Sequence, residues 1–290
     1  MRAIYGKELR AYFKSPLGYV FIAVVMALFG IYYSMVTLKY GVATYGSTVL
    51  ANVCGLLSYL IPLLTMRSFS EESKNRTDQL LLTAPVRVSE IVMGKFFAML
   101  TIVGGTLLLT FIFPLFTKVN LGGSVDWAMT FGGYLATFLL CAAFIALGMY
   151  FSSITESQFI AVLVSLATVV LLNLLNGVDR VLPSSELFSF VVFLIIFAGL
   201  MVALYFLIKD VTVTAIAAGA GLVILTALYF IAPGVYEGLF GKVLAWLNIM
   251  QRFGNVYTGT FKLGDVVFFV GFIAFFLFLT QQRLEKKRWD

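Results

Sequence analysis

Three Gly-Lys pairs are the residues of this sequence that come nearest to a phosphate-binding loop. Gly6-Lys7, Gly94-Lys95 and Gly241-Lys242 are followed by Glu, Phe and Val. A loop of the G-x-x-x-x-G-K-[ST] type needs Ser or Thr at that next position, because the hydroxyl binds magnesium. None of the three pairs supplies that hydroxyl, so the sequence does not predict ATP hydrolysis by this chain.

Metal and proton-transfer chemistry also lacks its usual residues. The chain has no histidine, which is the commonest metal ligand and the usual proton carrier near neutral pH. Its two cysteines, Cys54 and Cys141, lie within apolar stretches and are interpreted as small hydrophobic residues. The sequence therefore predicts no catalytic residue, no metal site and no cofactor bound by this chain.

The composition indicates the kind of secondary structure in which the polar residues of this chain are held. Of the 290 residues, 61% are hydrophobic and 12% are charged, and the mean hydropathy is +1.00. Soluble domains carry about a quarter charged residues, so this much apolar surface predicts a lipid environment. Helices are the default there, because every backbone polar group must be bonded within the protein. The net charge of +6 does not indicate nucleic acid, since the basic residues are spread over chain ends and connections.

Uncharged stretches long enough to cross the hydrocarbon, about 17 to 25 residues each, predict an all-α integral membrane protein with about eight transmembrane helices. A transmembrane domain is expected over residues 16–290, with a long connection at 67–95 and an outer segment at 233–263 that forms a surface helix. The predicted spans are about 17–38, 45–66, 96–117, 127–151, 158–177, 187–208, 212–232 and 264–282.

The distribution of lysine and arginine predicts how these spans are oriented. Eight spans place both termini on the same side, and 14 of the 20 basic residues lie on that side, including those of residues 67–95. Connections on the cytoplasmic side carry the excess of basic residues. Both termini and the long connection are therefore predicted to be cytoplasmic.

Residues 1–15 have a helical pattern of their own. At about 100° per residue, one arc is aromatic and apolar and the opposite side is basic. The arc holds Tyr5, Leu9, Tyr12 and Phe13, and the basic side holds Lys7, Arg10 and Lys14. Such a helix would lie in the headgroup layer, and Ser15-Pro16 is expected to end it. An ordinary basic flank that only fixes orientation is the alternative.

The connection at 67–95 holds nine of the 34 charged residues. Connections longer than about 12 to 15 residues are usually functional or disordered. Ser68 followed by Glu71 has the capping-box spacing that starts a helix, and Pro85 predicts the end of that helix. A second helix start is predicted at Ser89. A short projecting helix suits docking to a soluble partner, and a solvated hairpin that only fixes topology is the alternative.

Four segments carry a family pattern. They are KELRAYFKSPLGYV at 7–20, PLLTMRSFSEESKNRTDQLLLTAPVRVSEIVMGKF at 62–96, FSSITESQ at 151–158 and FLFLTQQRLEKKRW at 276–289. Together they resemble the ABC-2 type transporter permeases, and within them the gliding-motility-associated (GldF-like) group. The second segment is the most specific, because its acidic pair, polar turn, leucine run, Ala-Pro-Val and closing Gly-Lys occur in family order. Family members often have glycine at the position of Arg76.

This resemblance implies an exporter in a bacterial cytoplasmic membrane that uses ATP hydrolysed by a separate subunit. Two permease copies, or this permease with a related one, would pair with two cytoplasmic ABC ATPase subunits that bind ATP and Mg. Residues 1–15 would form the interfacial helix, and residues 67–95 would carry the coupling helix. The residues expected to face the ATPase are Glu71, Glu72, Asn75, Arg76, Thr77, Asp78, Gln79 and Leu80, with Glu156 from the connection after the fourth span.

Two other functions stay open at the level of sequence. One is a non-transporting membrane scaffold for an extracytoplasmic apparatus, with an accessory membrane or extracytoplasmic partner. The other is a carrier driven by an ion gradient. This carrier ranks third, because such carriers usually keep ionisable residues near mid-membrane, and the predicted spans have none in their interiors.

Overall fold

The structure is a computed structural model that describes residues 1–39, 49–79, 86–121, 126–181, 183, 185–208, 211–231, 234, 236–257 and 263–289. Its regular elements over those ranges are all helical, which confirms the predicted fold class. The chain divides into two compact units. The first unit comprises residues 1–171 and 249–290, and the second comprises residues 172–248.

The first unit holds most of the helices. They are α1 (Arg2–Lys14), α2 (Pro16–Tyr32), α3 (Ala51–Thr65), α4 (Ser70–Lys74), α5 (Val88–Thr110), α6 (Ile112–Leu121), α7 (Trp127–Ile154), α12 (Ile249–Tyr257) and α13 (Leu263–Trp289). A π-helical segment, Tyr33–Leu38, continues α2. The remaining helices are α8 (Gln158–Val181), which passes from the first unit into the second, α9 (Glu186–Ile208), α10 (Val211–Ile231) and α11 (Leu239–Leu247).

Six helical stretches within the described ranges are long and apolar enough to cross a bilayer. They are Pro16–Leu38, Ala51–Lys74, Val88–Val119, Trp127–Ile154, Gln158–Leu175 and Leu263–Arg288. The sixth and seventh predicted spans correspond to α9 and α10, whose described apolar stretches are shorter, at Glu186–Val202 and Ala218–Phe230. The start of the predicted span at 45–66 lies partly outside the described residues. Eight spans therefore stay a prediction.

Helix α7 is the centre of the first unit. It packs against α3, α5, α12 and α13, and its run Ala142–Leu147 is buried along its whole length. The small side chains of this run allow the neighbouring helices to approach closely. Both cysteines are buried free thiols in this core, and Cys54 Sγ lies 2.7 Å from Thr137 Oγ1.

The third predicted span belongs to a helix that begins before it and is interrupted within it. Helix α5 starts at Val88, next to the helix start predicted at Ser89, so the insert between the second and third spans is shorter than 67–95. The helix breaks at Phe111, and α6 follows it. Pro114 has no N–H to donate to the carbonyl of Thr110, which accounts for the break.

The predicted surface helix of the outer segment is two short helices. Asn248 has an extended backbone and separates α11 from α12. Within the first unit, α12 packs against α7 and α13. Arg252 Nη1 donates to Asp265 Oδ1 at 3.0 Å, and its guanidinium carbon lies 4.2 Å from the centre of the Phe268 ring. This pair ties α12 to the beginning of α13.

The second unit has an aromatic core. Helices α9 and α10 pack together, and Tyr236, 2% exposed, lies against Phe190 and Tyr229. The Tyr236 hydroxyl donates to the carbonyl of Leu225 at 3.0 Å. Burial of these rings together with a bonded hydroxyl gives the unit a defined packing arrangement.

Candidate functional site

Helix α1 is fixed along the side of α5 and α3. A Cβ on Gly94 of α5 would lie 3.1 Å from Ile4 Cγ2, so the absence of a side chain there lets α1 approach. The Tyr5 hydroxyl lies 3.0 Å from Thr101 Oγ1 of α5. The Tyr12 hydroxyl donates to the carbonyl of Leu64 in α3 at 3.1 Å. Helix α1 is therefore held to two spanning helices at the end of the bundle that carries the insert, called the insert end below.

Tyr12 is the most deeply buried aromatic residue of α1, with 7% of its surface exposed. Burial raises the pKa of its hydroxyl, and the nearby carboxylates of Glu8 and Glu71 raise it further. The hydroxyl therefore stays protonated and keeps donating to Leu64 throughout the neutral range.

Lys95 is a buried cation at the insert end, and it joins three elements. Only 2% of its side chain is exposed. Its Nζ donates to Glu8 Oε1 of α1 at 2.9 Å and to the carbonyl of Ser68 at 2.7 Å. The same Nζ lies 3.1 Å from Glu72 Oε2 of α4, an ion pair outside hydrogen-bond geometry. The Phe69 ring covers it at 5.2 Å from the ring centre.

Lys7 completes a balanced set of charges around Lys95. Its Nζ lies 3.4 Å from Glu72 Oε1, while its own side chain is 64% exposed. We call these four residues, Lys7, Glu8, Glu72 and Lys95, the Lys95 network. Two cations face two carboxylates, and removing one member of such a buried pair leaves an uncompensated charge that costs about 3 to 5 kcal/mol.

The start of α4 is capped by α7 and not by its own sequence. Ser152 Oγ of α7 accepts from the backbone N–H groups of Phe69 and Ser70, each at 3.1 Å. The predicted capping box is wrong, because α4 begins at Ser70 and the Ser68 hydroxyl has no partner within the described ranges. The Ser68 carbonyl binds Lys95 instead, which turns this residue away from a capping position.

A tight turn ends α4 after Lys74. The N–H of Thr77 donates to the carbonyl of Glu72 at 2.9 Å, and the N–H of Arg76 donates to that of Ser73 at 3.1 Å. These two bonds form the Schellman motif, whose key residue adopts the left-handed conformation. Arg76 is that residue, with φ 55°. The helix predicted to start at Ser68 and to end near Pro85 is therefore interrupted at Arg76.

The last spanning helix reaches the insert after this turn. Lys287 Nζ of α13 lies 2.6 Å from Asp78 Oδ2 and donates to Ser73 Oγ at 2.6 Å. Asp78 is 15% exposed on its side chain. The insert is thus attached to α1 and α5 through Lys95, to α7 through Ser152 and to α13 through Lys287.

Comparison with known proteins identifies the family to which the chain belongs. The sequence profile described as ABC-2 family transporter protein matches residues 2–178, which is more than half of the chain and includes α1 to α7. The chain belongs to this ABC-2 family. It is a multi-pass membrane permease component. No curated protein sequence matches the chain significantly.

The predicted contact residues of this ABC-2 protein separate into two groups. Glu72 and Asp78 are turned inward to Lys95 and Lys287. The exposed group comprises Asn75, Arg76, Thr77 and Gln79. Together with their exposed neighbour Lys74, which was not among the predicted residues, they are called the insert tip below. Glu71 is half-exposed and lies 3.8 Å from Arg67. Glu156 is exposed, four residues after Ser152, and Leu80 lies outside the described residues.

The basic side predicted for α1 is exposed, and most of the predicted apolar arc is turned to the bundle. Lys7, Arg10 and Lys14 are exposed, whereas Tyr5, Leu9 and Tyr12 are partly or fully buried. Phe13, the fourth residue of the predicted arc, is 41% exposed, and its ring packs edge-on against Tyr19 at 6.1 Å.

Sequence reasoning missed Lys95, Glu8, Ser152 and Lys287 as site residues. Lys287 entered the sequence analysis only as a basic residue that sets orientation, and Lys95 only as such a residue and as the lysine of a Gly-Lys pair. One signal was available, since Glu8 is the only acidic residue among residues 1–15. A single carboxylate in a basic helix that also packs against the bundle indicates a buried cationic partner.

Proposed function

We propose that this chain is the membrane-spanning permease subunit of an ABC-2 type exporter, and that the insert tip docks onto a separate cytoplasmic ABC ATPase. The observation that carries the proposal is the insert itself. Its tip is exposed, and its inner residues are held by ion pairs and hydrogen bonds to the first unit. A soluble partner can transfer force only if the insert has an exposed surface to bind and is firmly attached to the membrane helices.

In this mechanism the Lys95 network connects the insert rigidly to α1 and α5. Separating Glu8 or Glu72 from Lys95 would leave charges that are at least four-fifths buried without a partner. The insert, α1 and α5 therefore move together when the tip is pushed. Ser152 and Lys287 extend the same connection to α7 and α13, so one docking event reaches both the centre and the last helix of the unit.

The family and the charge distribution support the following arrangement of the complete transporter. Both termini and the insert lie in the cytoplasm, with two permease copies or two related permeases and two ATPase subunits. ATP and Mg are bound by the ATPase, and an unidentified substrate leaves the cytoplasm. The membrane is the bacterial cytoplasmic membrane, and membership of the gliding-motility-associated (GldF-like) group belongs to the same proposal.

Co-purification with the ATPase tests this function. The tip variant is Lys74→Glu with Asn75→Trp, which changes charge and shape without touching an inward-facing residue. The control introduces the same two residue types, through Lys242→Glu with Glu237→Trp, at exposed positions of the second unit. We expect the tip variant to lose most of the co-purified ATPase and of its stimulated ATP hydrolysis, and the control to retain both. An unchanged complex in the tip variant would exclude docking at the tip, and no ATPase with the unaltered chain would favour the scaffold.

A further inference from the structure

The exposed face of α1 contains a groove that the docking function does not use. It is lined by four basic and three small residues, namely Arg2, Lys7, Arg10 and Lys14 with Ala3, Gly6 and Ala11. The small residues form the floor, and the basic side chains border it. This face lies opposite the arc of α1 that packs against the bundle.

The positive charge of this groove is largely uncompensated. Lys7 has Glu72 as a partner at 3.4 Å, whereas Arg2, Arg10 and Lys14 form no ion pair with the part of the chain that the structure describes. Like charges spaced three and four residues apart destabilise a helix. Arg2 also lies in the first turn, where the helix dipole disfavours a cation. An anion in the groove would relieve both effects.

Gly6 indicates that space in the groove matters. Glycine inside a helix is less stable than alanine, so its presence usually needs a packing reason. A Cβ added at Gly6 would meet nothing within 4 Å, so no neighbour among the residues that the structure describes requires the glycine. Its missing side chain instead keeps the floor of the groove open beside Arg10.

Two exposed aromatic residues place the groove at the membrane surface. Phe13 of α1 and Tyr19 of α2 are 41% and 59% exposed and pack edge-on against each other. Exposed aromatic rings next to a spanning helix are typical of the interface between headgroups and hydrocarbon. The cations of α1 then lie at the depth of the lipid phosphates, and a soluble acidic protein would have no use for the aromatic pair.

We propose that this groove binds the anionic headgroup of a membrane phospholipid, with its phosphate between Arg10, Lys14 and Lys7 and its acyl chains beside Phe13 and Tyr19. The bound lipid would keep α1 at the surface of the cytoplasmic leaflet. This proposal does not depend on ATPase docking, because the insert tip is made of other residues.

Native mass spectrometry of the full chain in detergent tests it, with phosphatidylglycerol and phosphatidylcholine titrated separately. The unaltered chain should retain phosphatidylglycerol preferentially. Arg10→Gln with Lys14→Gln should weaken phosphatidylglycerol binding about tenfold, since each basic residue near a lipid surface contributes measurably to the attraction. Gly6→Leu should weaken it also, although it leaves every charge in place and favours the helix.

The matched control is Arg283→Gln with Lys286→Gln, which removes two exposed cations from α13. We expect it to bind phosphatidylglycerol like the unaltered chain. If phosphatidylglycerol binding weakens equally in this control, or is unchanged in Gly6→Leu, the lipid is attracted by diffuse positive charge and is not bound in the groove. Displacement of the lipid by soluble glycerol phosphate would contradict a role for the acyl chains. Unchanged lipid binding in the Arg10 and Lys14 variant, together with loss of a co-purified protein, would assign the groove to an acidic partner.

Discussion

Lys95 Nζ lies 2.9 Å from Glu8 Oε1, although the two residues are 87 positions apart in the sequence. Glu8 belongs to α1, which precedes the first span, and Lys95 belongs to α5, directly before the third predicted span at 96–117. The same ammonium group also pairs with Glu72 of the insert. One buried cation therefore connects α1, the insert and a spanning helix.

Replacing Lys95 by methionine tests this connection. Lys95→Met keeps the length of the side chain but leaves Glu8 and Glu72 without their buried partner, so we expect a loss of about 3 to 5 kcal/mol in the free energy of unfolding. Denaturant titration in mild detergent measures it. Lys74→Met, at an exposed lysine of the insert tip, is the control and should change stability by less than about 0.5 kcal/mol. A Lys95→Met protein as stable as the unaltered chain would show that the network contributes nothing.

The contact between Asp78 and Lys287 should be weaker, because the lysine side chain is 36% exposed. A double-mutant cycle with Asp78→Asn and Lys287→Met should give a coupling energy of about 0.5 to 1 kcal/mol. The same cycle with the exposed neighbour Lys286→Met should give a value near zero. Equal coupling for both lysines would mean that α13 attracts the insert only by its general positive charge.

The left-handed backbone of Arg76 predicts a stabilising substitution. Its φ of 55° is unfavourable for a residue with a Cβ, and its side chain is exposed. Arg76→Gly should therefore raise the free energy of unfolding by about 1 kcal/mol, whereas Arg76→Val should lower it. Lys74→Gly, inside α4, should be destabilising and serves as the control for loss of a tip cation. Destabilisation by Arg76→Gly would contradict the Schellman turn.

The raised pKa of Tyr12 predicts a pH dependence with a definite sign. The folded protein keeps this hydroxyl protonated, whereas the unfolded chain ionises it near its ordinary value of about 10. The stabilisation is therefore complete below about pH 10 and declines as the pH rises above that value. Tyr12→Phe removes the hydrogen bond to Leu64 and should lower stability by about 0.5 to 1.5 kcal/mol at neutral pH.

Comparing the two proteins separates Tyr12 from the other groups that titrate at high pH. The difference in unfolding free energy between the unaltered chain and Tyr12→Phe should shrink between about pH 8 and about pH 11. A difference that stays constant over this range would show that Tyr12 ionises equally in both states.

Several long apolar helices could be predicted from the sequence, because the length of an uncharged apolar stretch indicates where such a helix lies. Predicted spans at 127–151, 187–208 and 212–232 correspond to α7 at Trp127–Ile154, α9 at Glu186–Ile208 and α10 at Val211–Ile231. Helix α13 continues from the predicted end near residue 282 to Trp289, and this extension carries Lys287 to the insert. Polar residues after a span gave no indication that the helix would continue.

The candidate site was predictable only where neighbouring residues in the sequence form a recognisable pattern. The exposed tip lies in the polar stretch that the sequence singled out. The glycine that the family resemblance implies at position 76 is compatible with the left-handed backbone of Arg76. The partners of the insert were not predictable, because Ser152 and Lys95 reach it through helix packing. Ser152 took over the capping role that the local spacing assigned to Ser68.

Photo-crosslinking from Thr77 tests the docking claim most directly. A photoreactive residue at this exposed position of the insert tip is introduced into the full chain in native membranes, with the same residue at exposed Lys242 as the control. We expect an adduct between position 77 and an ABC ATPase subunit, identified by mass spectrometry, and no such adduct from position 242. The contradicting result is no ATPase adduct from position 77, or labelling of position 77 by a membrane-impermeant reagent from outside the cell.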